Sequence, residues 1–383
     1  MARLRGDDEM LAALAELEGS SDGDAGSSRG DPDTDLLVDE DPWPTHEPEE
    51  TSRCVPERGW NADVWNPYVT IPEDVLAAAT AGGARAMAEA KARSPSPQEE
   101  TLRRNAVGAV FGRFETLATE LGVGKTLKSA PFERWQFSQK LLEGGGGDPL
   151  LPSKAFKDAG LRAELVELGV KGEQATNACR ELGRAAKAAL KTLANQLRLR
   201  RGPGWRGVSV ERLDQDTYVL RAGSNRLRMN SAHYDKMREL CRRAGVSDAA
   251  QAHDKMFACL MRYESLQGSG FQASVPGDAF DVLLRHFDVR MECFASPLNC
   301  RYGKYCSAFP DTDWPFGSAG SFFSFWPLEG SYQANPPFVR EVILAMARRM
   351  DKLLANASAV NGPPAATVAA RAGAGVAAAA AVV

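Results

Sequence analysis

No stretch of eighteen apolar residues occurs in the 383-residue chain, so the sequence offers no transmembrane helix and no membrane partner is expected. The Ala/Val tail from Gly375 to Val383 is apolar but too short to span. The N-terminus lacks the basic-then-apolar order of a secretory leader. Cysteine is sparse: seven residues, an odd number at irregular spacing, which argues against a disulfide framework and for a reducing intracellular compartment. Internal repeats are lacking too, which removes the solenoid architectures. What is present is the mix of an ordinary soluble protein, 44% hydrophobic and 25% charged, over a length that accommodates two domains plus tails.

The formal charge of −4 conceals an asymmetry. Residues 1–50 hold three Arg against sixteen Asp and Glu, a charge of −13, whereas the remainder holds 43 basic against 34 acidic residues, +9. A basic body with an acidic tail suits a polyanionic ligand, although a solvated surface beside a disordered tail has the same charge pattern.

Patterning divides the chain into four stretches. Residues 1–73 read as a disordered acidic tail, with a short helix near Met10–Leu17, followed by an arm carrying Trp60 and Trp65 that packs on a domain. Residues 74–205 read as helical. Helices are expected over 74–92, broken by Ser94-Pro95-Ser96-Pro97, then over 100–121, 133–142, 155–168 and 173–199. Residues 206–355 mix short strands near 208–210, 217–220 and 227–229 with helices over 232–244, 250–266 and 280–287. An extended run at 289–294, an aromatic-rich loop region and a helix over 339–354 complete that stretch. Residues 356–383 are low-complexity and expected to be disordered. The fold class is therefore α/β, a helical domain followed by a strand–loop–strand–helix unit.

Gly122-Val123-Gly124-Lys125-Thr126 resembles the end of a phosphate-binding loop, but Thr119 stands where the first glycine is required and the segment follows a helix. A helix-ending glycine turn is the better reading.

Asn335-Pro336-Pro337-Phe338 is more informative. An exocyclic amine is a poor nucleophile because its lone pair delocalises into the ring. An enzyme that methylates one must hold the nitrogen so that the lone pair faces the methyl donor. The Asn335 side-chain oxygen can accept one amine hydrogen and the Pro336 carbonyl the other. The proline rings of Pro336 and Pro337 fix the backbone, and Phe338 offers a face for an extruded base. The plain alternatives are a proline-terminated strand and, for Phe338, a core position at the start of the following helix. Two further stretches are candidates. Glu292–Asn299 is an apolar strand running into a tight Ser-Pro turn, where doubly wound folds bind ligands. Its Phe294-Ala295-Ser296-Pro297 resembles a donor motif of amino-methyltransferases without their glycines. In the third, Asp311 and Asp313 could bond ribose hydroxyls and Gly317-Ser318 could line an adenosine pocket, or the stretch could be a surface turn.

The run from Glu292 to Phe338 resembles the core of the phosphorylated-CTD-interacting-factor family, which methylates N6 of the 2′-O-methyladenosine beside the 7-methylguanosine cap. Similarity extends upstream through PFERW, DPLLPS, MFACLMRYESLQG and FDVLLRHFDV and covers about residues 100–354. The resemblance implies a partial Rossmann-like methyltransferase core over 206–355, with a helical substrate-binding domain before it. It implies S-adenosyl-L-methionine as donor, held by Phe294, Ala295, Ser296, Pro297, Asn299, Asp311, Asp313, Gly317 and Ser318. Asn335, Pro336, Pro337 and Phe338 are then catalytic, capped mRNA is the substrate and the location is nuclear. Arg104 and Arg134 lie where the family binds the cap, and Arg103, Arg198, Arg200 and Arg201 add basic charge; helix-surface arginine is the alternative for each. Cys293, Cys300 and Cys306 are one ligand short of a zinc site, so no metal is expected. Animal members carry a WW module that reads the RNA polymerase II C-terminal tail. Trp60 and Trp65 are too close together for one, so that module is expected to be absent. The family's core continues beyond the motif helix, whereas similarity here stops near Leu354, so an incomplete sheet is expected. That shortfall leaves a catalytically inactive RNA- or protein-binding homologue as the alternative function, and an adenine methyltransferase acting on another nucleic acid as a third.

Overall fold

The computed structural model describes residues 65–124, 129–143, 147–153, 159–199, 207–266, 274–361 and 379–382. The Met10–Leu17 helix, Trp60, Lys125, Thr126, Arg200 and Arg201 lie outside them, and every described residue falls in the unit Ser52–Val383.

Helices come first: α1 (Glu73–Thr80), a short turn, α2 (Ala84–Ala92), α3 (Pro97–Glu120), α4 (Ser129–Leu142), α5 (Ala159–Glu167) and α6 (Gly172–Leu199). Helix α3 starts where its sequence dictates. Ser96 caps it, accepting from the Glu99 amide while Glu99 reaches back to the Ser96 amide, and Pro97 sits at the first helical position. It ends at Gly122, whose φ of 76° admits glycine readily. There Val123 N–H reaches the Ala118 carbonyl and Gly122 N–H the Thr119 carbonyl, a helix stop as the sequence indicates.

An antiparallel meander follows, β1 (Ser209–Arg212), β2 (Thr217–Ala222) and β3 (Asn225–Asn230), then α7 (Ser231–Arg243), α8 (Ala249–Glu264) and α9 (Gly277–Phe287). Strand β4 (Val289–Glu292) pairs in parallel with β5 (Ser331–Ala334), so the chain is α/β, with helices preceding a small parallel sheet. The crossover between these strands adds two more rungs. Tyr305 bridges in parallel to Glu292 on one side and to Ser318 on the other. Backbone bonds continue the ladder, from Cys293 N–H to Gln333 at 2.7 Å, Cys306 N–H to Glu292 at 2.8 Å and Ala319 N–H to Tyr305 at 2.8 Å. Helix α10 (Pro310–Asp313) lies within the crossover. After β5, α11 spans Arg340–Asn361, past the boundary expected near Leu354. Within the stretch read as a low-complexity tail, β6 (Ala379–Val382) pairs antiparallel with β5.

One apolar cluster runs from Val107 and Phe114 in α3 through Phe257 and Met261 in α8 to Tyr305 and Phe316 in the crossover. Trp65 packs against it, and Asn66 N–H bonds the Arg301 carbonyl at 2.7 Å, so the described part of the arm lies on the core. A buried ionic network crosses the same cluster. Arg262 of α8, fully buried, forks onto Glu100 of α3 with bonds of 2.8 Å, and onto Asp311 of α10 at 2.8 and 3.1 Å. Arg103 joins Glu100 to Asp148. Burial opposes the Arg262 charge, but the two carboxylates outweigh it and hold the guanidinium well above its ordinary pKa.

Two stability predictions follow from this packing. Arg262→Met leaves Asp311 without its partner and Glu100 half-neutralised, and removing one side of a buried pair costs about 3–5 kcal/mol. Urea unfolding of the variant should show that loss, and Arg262→Lys should not restore it, because an ammonium cannot fork onto two carboxylates. Unchanged midpoints would mean the network does not anchor the helices. At Gly317, φ is 99° and an added Cβ would stand 2.2 Å from the Gly303 carbonyl oxygen, so two backbones touch there. Gly317→Ala should lower stability by about 1–3 kcal/mol or more, whereas Gly108→Ala, with open space around it, should not destabilise.

Candidate functional site

Parallel pairing puts both strand ends at one edge. The register matches Met291 with Tyr332 and Glu292 with Gln333, so Phe294 leaves β4 beside the point where Asn335 leaves β5. Strands so paired lie about 4.8 Å apart. The Tyr305 rung emerges at the same edge into Ala308–Asp311. The three stretches singled out in the sequence are thus neighbours in one ladder, at the carboxyl ends where such sheets bind ligands.

The Asn335–Phe338 segment is open. Asn335 is half-buried, and among the described residues its side-chain amide has no hydrogen-bond partner. The Pro337 carbonyl accepts from Val339 N–H at 2.7 Å, while among the described residues no backbone bond reaches the Pro336 carbonyl. Pro336 and Val339 are buried and fix the segment on both sides of the Phe338 backbone. Phe338 itself is 66% exposed, so it is not the core residue that its place before a helix allowed. Two acceptors and an aromatic ring therefore stand together at the edge, the set needed to hold an amino-substituted heterocycle.

The residues named for the methyl donor fare differently, because the protein already uses them. Ser296 and Asn299 close a turn on each other: Asn299 Oδ1 accepts from the Ser296 amide at 2.7 Å and from its hydroxyl at 3.0 Å. Pro297 is buried in that turn and Ala295 N–H bonds Cys306. Phe294 packs its ring against Phe322 and Phe323, centroids 4.9 and 6.2 Å away. Asp311 is held by Arg262: burial pushes its carboxyl up, but the guanidinium outweighs that and holds it below the ordinary range. Asp313 is fully buried and accepts from the Tyr263 hydroxyl at 2.7 Å and from Thr312 at 2.9 Å. Burial pushes its pKa up to about 7 against those bonds. The Gly317 backbone packs on Gly303, and the Ser318 hydroxyl shares a 2.8 Å bond with Ser307. Asp311, Asp313, Gly317 and Ser318, expected to contact the donor, thus make contacts within the protein that tie the crossover to the body.

The arginines expected at the cap, Arg104 and Arg134, are also partnered. Arg134 forks onto Glu164 at 3.0 and 2.8 Å, and Arg104 reaches Glu264 at 3.1 Å. Arg103 lies in the buried network, whereas Arg198 is exposed. A shallow concavity lined by Arg212, Asp214, Gln215 and Asp216 belongs to the β1–β2 turn rather than to the motif edge. Among the described residues, no group of His, Cys, Asp and Glu could hold a metal ion, and no helix is long and apolar enough to cross a membrane.

Two positions that organise the edge were missed in the sequence. Glu292, at the end of β4, turns its buried carboxylate onto the amides of Arg301 at 2.7 Å and Tyr302 at 3.2 Å. Burial pushes its pKa up to about 7 against those two bonds. Arg262 was passed over inside an apolar helix, although one Arg at the end of Met256–Met261 must find carboxylates if that face is buried.

Comparison with known proteins covers the same part of the chain. Residues 236–365 match the family described as "Phosphorylated CTD interacting factor 1 WW domain". That match overturns the expectation that no WW module is present; the matched residues run from α7 to beyond α11 and include β4 and β5. The chain is 39% identical over 155 residues to the mouse (Mus musculus) protein named mRNA (2'-O-methyladenosine-N(6)-)-methyltransferase. It is 38% identical over 155 residues to the human (Homo sapiens) protein of that name. Each alignment covers 38% of this chain and 22% of the relative, so the chain matches about a fifth of the length of these curated relatives.

Proposed function

We propose that this chain belongs to the phosphorylated-CTD-interacting-factor family and methylates N6 of adenosine in RNA, with the cap-adjacent 2′-O-methyladenosine of mRNA as target. The observation that carries the reading is the convergence of the unpartnered Asn335 amide, the Pro336 carbonyl and the exposed Phe338 ring at the carboxyl end of β5. The similarity to two proteins named for that reaction supports it.

Asn335 Oδ1 accepts one hydrogen of the adenine amine and the Pro336 carbonyl accepts the other, which turns the nitrogen lone pair out of the ring plane. Phe338 stacks on the base and fixes its tilt. S-adenosyl-L-methionine, when bound, would supply the methyl group, its sulfonium–methyl bond breaking as the N–C bond forms and the neutral thioether S-adenosylhomocysteine leaving. The methylated nitrogen sheds its proton to water, so positioning does most of the work and no strong base is required. Arg104 and Arg134 would meet the cap triphosphate with the guanidinium donors not engaged by Glu264 and Glu164. Capped mRNA, the RNA polymerase II C-terminal tail and a nuclear location belong to the same proposal. The internal commitment of Asp311, Asp313 and Gly317 favours a second reading, a non-catalytic RNA- or protein-binding homologue.

Incubation with labelled S-adenosyl-L-methionine and capped RNA beginning with 2′-O-methyladenosine separates the two. Labelled N6-methyladenosine is expected; its absence from a folded sample that binds the donor would leave the binding reading. Asn335→Ala should abolish transfer with donor affinity nearly unchanged, since the amide acts on the amine; a near wild-type rate would remove Asn335 from the mechanism. For Phe338, stacking is worth about 1–3 kcal/mol per base. Phe338→Leu should therefore lower kcat/KM for RNA roughly five- to a hundredfold, whereas Phe338→Trp keeps a π face and activity. An active Leu variant beside an unstable Trp variant would rule out stacking.

A further inference from the structure

The Ser94-Pro95-Ser96-Pro97 stretch between α2 and α3 does more than interrupt a helix. Ser94 is half-buried in the connecting coil, and its hydroxyl oxygen accepts from Lys255 Nζ of α8 at 2.7 Å. The Lys255 ammonium lies 5.9 Å from the centre of the Trp314 ring, and Lys91, at the end of α2, lies 5.6 Å from the same ring. Lys304 adds a third cation, close enough to Lys91 for each charge to be felt by the other. Among the described residues none of the three lysines makes an ion pair. Burial lowers the Lys255 pKa although Asp254, Cys241 and Glu99 oppose it, and burial with the Lys91 charge lowers that of Lys304. Lys91 and Lys255 share one indole, and the carboxylates felt there, Asp254 and Glu99 at Lys255 and Glu73 at Lys304, make no ion pair with these lysines among the described residues, so an added anion would be attracted to them.

Both serines precede proline, the minimal acceptor of proline-directed kinases, but only one is available. The Ser96 hydroxyl caps α3, accepting from the Glu99 amide at 3.3 Å, and the Glu99 carboxylate closes back on the Ser96 amide at 2.7 Å. A phosphate there would face that carboxylate and break the cap. Ser94 has no such duty, and its neighbours are cations.

We propose that Ser94 is a phosphorylation site whose phosphate docks on Lys255 and Lys91 and clamps the α2–α3 junction onto α8. In the step, Ser94 Oγ attacks the γ-phosphorus of ATP bound to a proline-directed serine kinase. The Oγ–P bond forms, the bond from that phosphorus to the β–γ bridging oxygen breaks, ADP leaves, and the hydroxyl proton passes to the kinase's base. The product carries about −1.5 to −2 charges at neutral pH, enough to balance the two nearer lysines. Lys255 already touches the oxygen that becomes the ester oxygen, so docking needs little rearrangement.

The test uses the full chain in two arms. In the first, phosphoserine is installed at position 94 during translation, and the phosphate is titrated by phosphorus NMR beside thermal melting. The second phosphate pKa should fall about one unit below its ordinary value near 6, and Tm should rise by about 2–4 °C. Lys255→Gln in the phosphorylated chain should return the pKa to its ordinary value. If that variant does not fold, Lys91→Gln, on the exposed end of α2, should move it part of the way back. In the second arm, wild-type chain is incubated with a purified proline-directed kinase and ATP and mapped by peptide mass spectrometry. Phosphate on Ser94 is expected, lost in Ser94→Ala. An ordinary phosphate pKa with an unshifted Tm, or phosphate on Ser96 alone, overturns the proposal.

Discussion

A guanidinium with no exposed surface sets the terms for the rest of the fold. Arg262 makes four hydrogen bonds to two carboxylates, and each comes from a different part of the chain: Glu100 from the capped start of α3, Asp311 from the short helix in the parallel-strand crossover. Desolvating such a charge costs several kcal/mol, and only near-ideal geometry repays it. The fork therefore tolerates little sliding of α3 on α8, or of the crossover on either. The capping box at Ser96 fixes where α3 begins and so where Glu100 points. A local signal at one helix end is in this way carried into the placement of the edge.

The same economy explains which side chains stand open there. The crossover of short rungs buries Tyr305, Phe309 and Phe316 in the main apolar cluster. It is fastened also by polar bonds, Asp313 to Tyr263, Ser318 to Ser307, Glu292 to the Arg301 and Tyr302 amides, and by the backbone contact at Gly317. Groups that look ligand-directed in a linear reading are consumed in this fastening. The chain after β5 is fixed by other means, two proline rings, buried Val339 and the start of α11, which leave Asn335 and Phe338 uncommitted.

Much of this was legible in the sequence where local rules govern. The helices expected over 100–121, 173–199, 232–244 and 280–287 from 3.6-residue periodicity lie at 97–120, 172–199, 231–243 and 277–287, with Gly122 as a stop signal. The parallel strands at 289–292 and 331–334 were legible as extended runs before Ser-Pro and Pro-Pro. Side-chain partners across long separations were not. Nothing near Arg134 in sequence announces Glu164, and nothing near Asp313 announces Tyr263, fifty residues earlier. A carboxylate free for a ligand and one spent on a buried hydroxyl are the same letter, and only packing tells them apart.

That distinction gives the motif edge its weight. An exposed phenylalanine alone is ordinary, since apolar atoms cover much of any protein surface. An amide without a partner is ordinary too where water can reach it. Here the two fall within four residues of one another, together with a carbonyl that no backbone bond reaches among the described residues, at the carboxyl end of a parallel strand. Proline at 336 and 337 removes two backbone donors and restricts the turn, so the segment cannot quench its own acceptors by folding back on them. The ring, held between buried Pro336 and Val339 anchors, cannot easily turn inward. Unmet hydrogen-bonding capacity and unburied aromatic surface are thus built in at one place, and an amino-substituted, planar partner satisfies both at once.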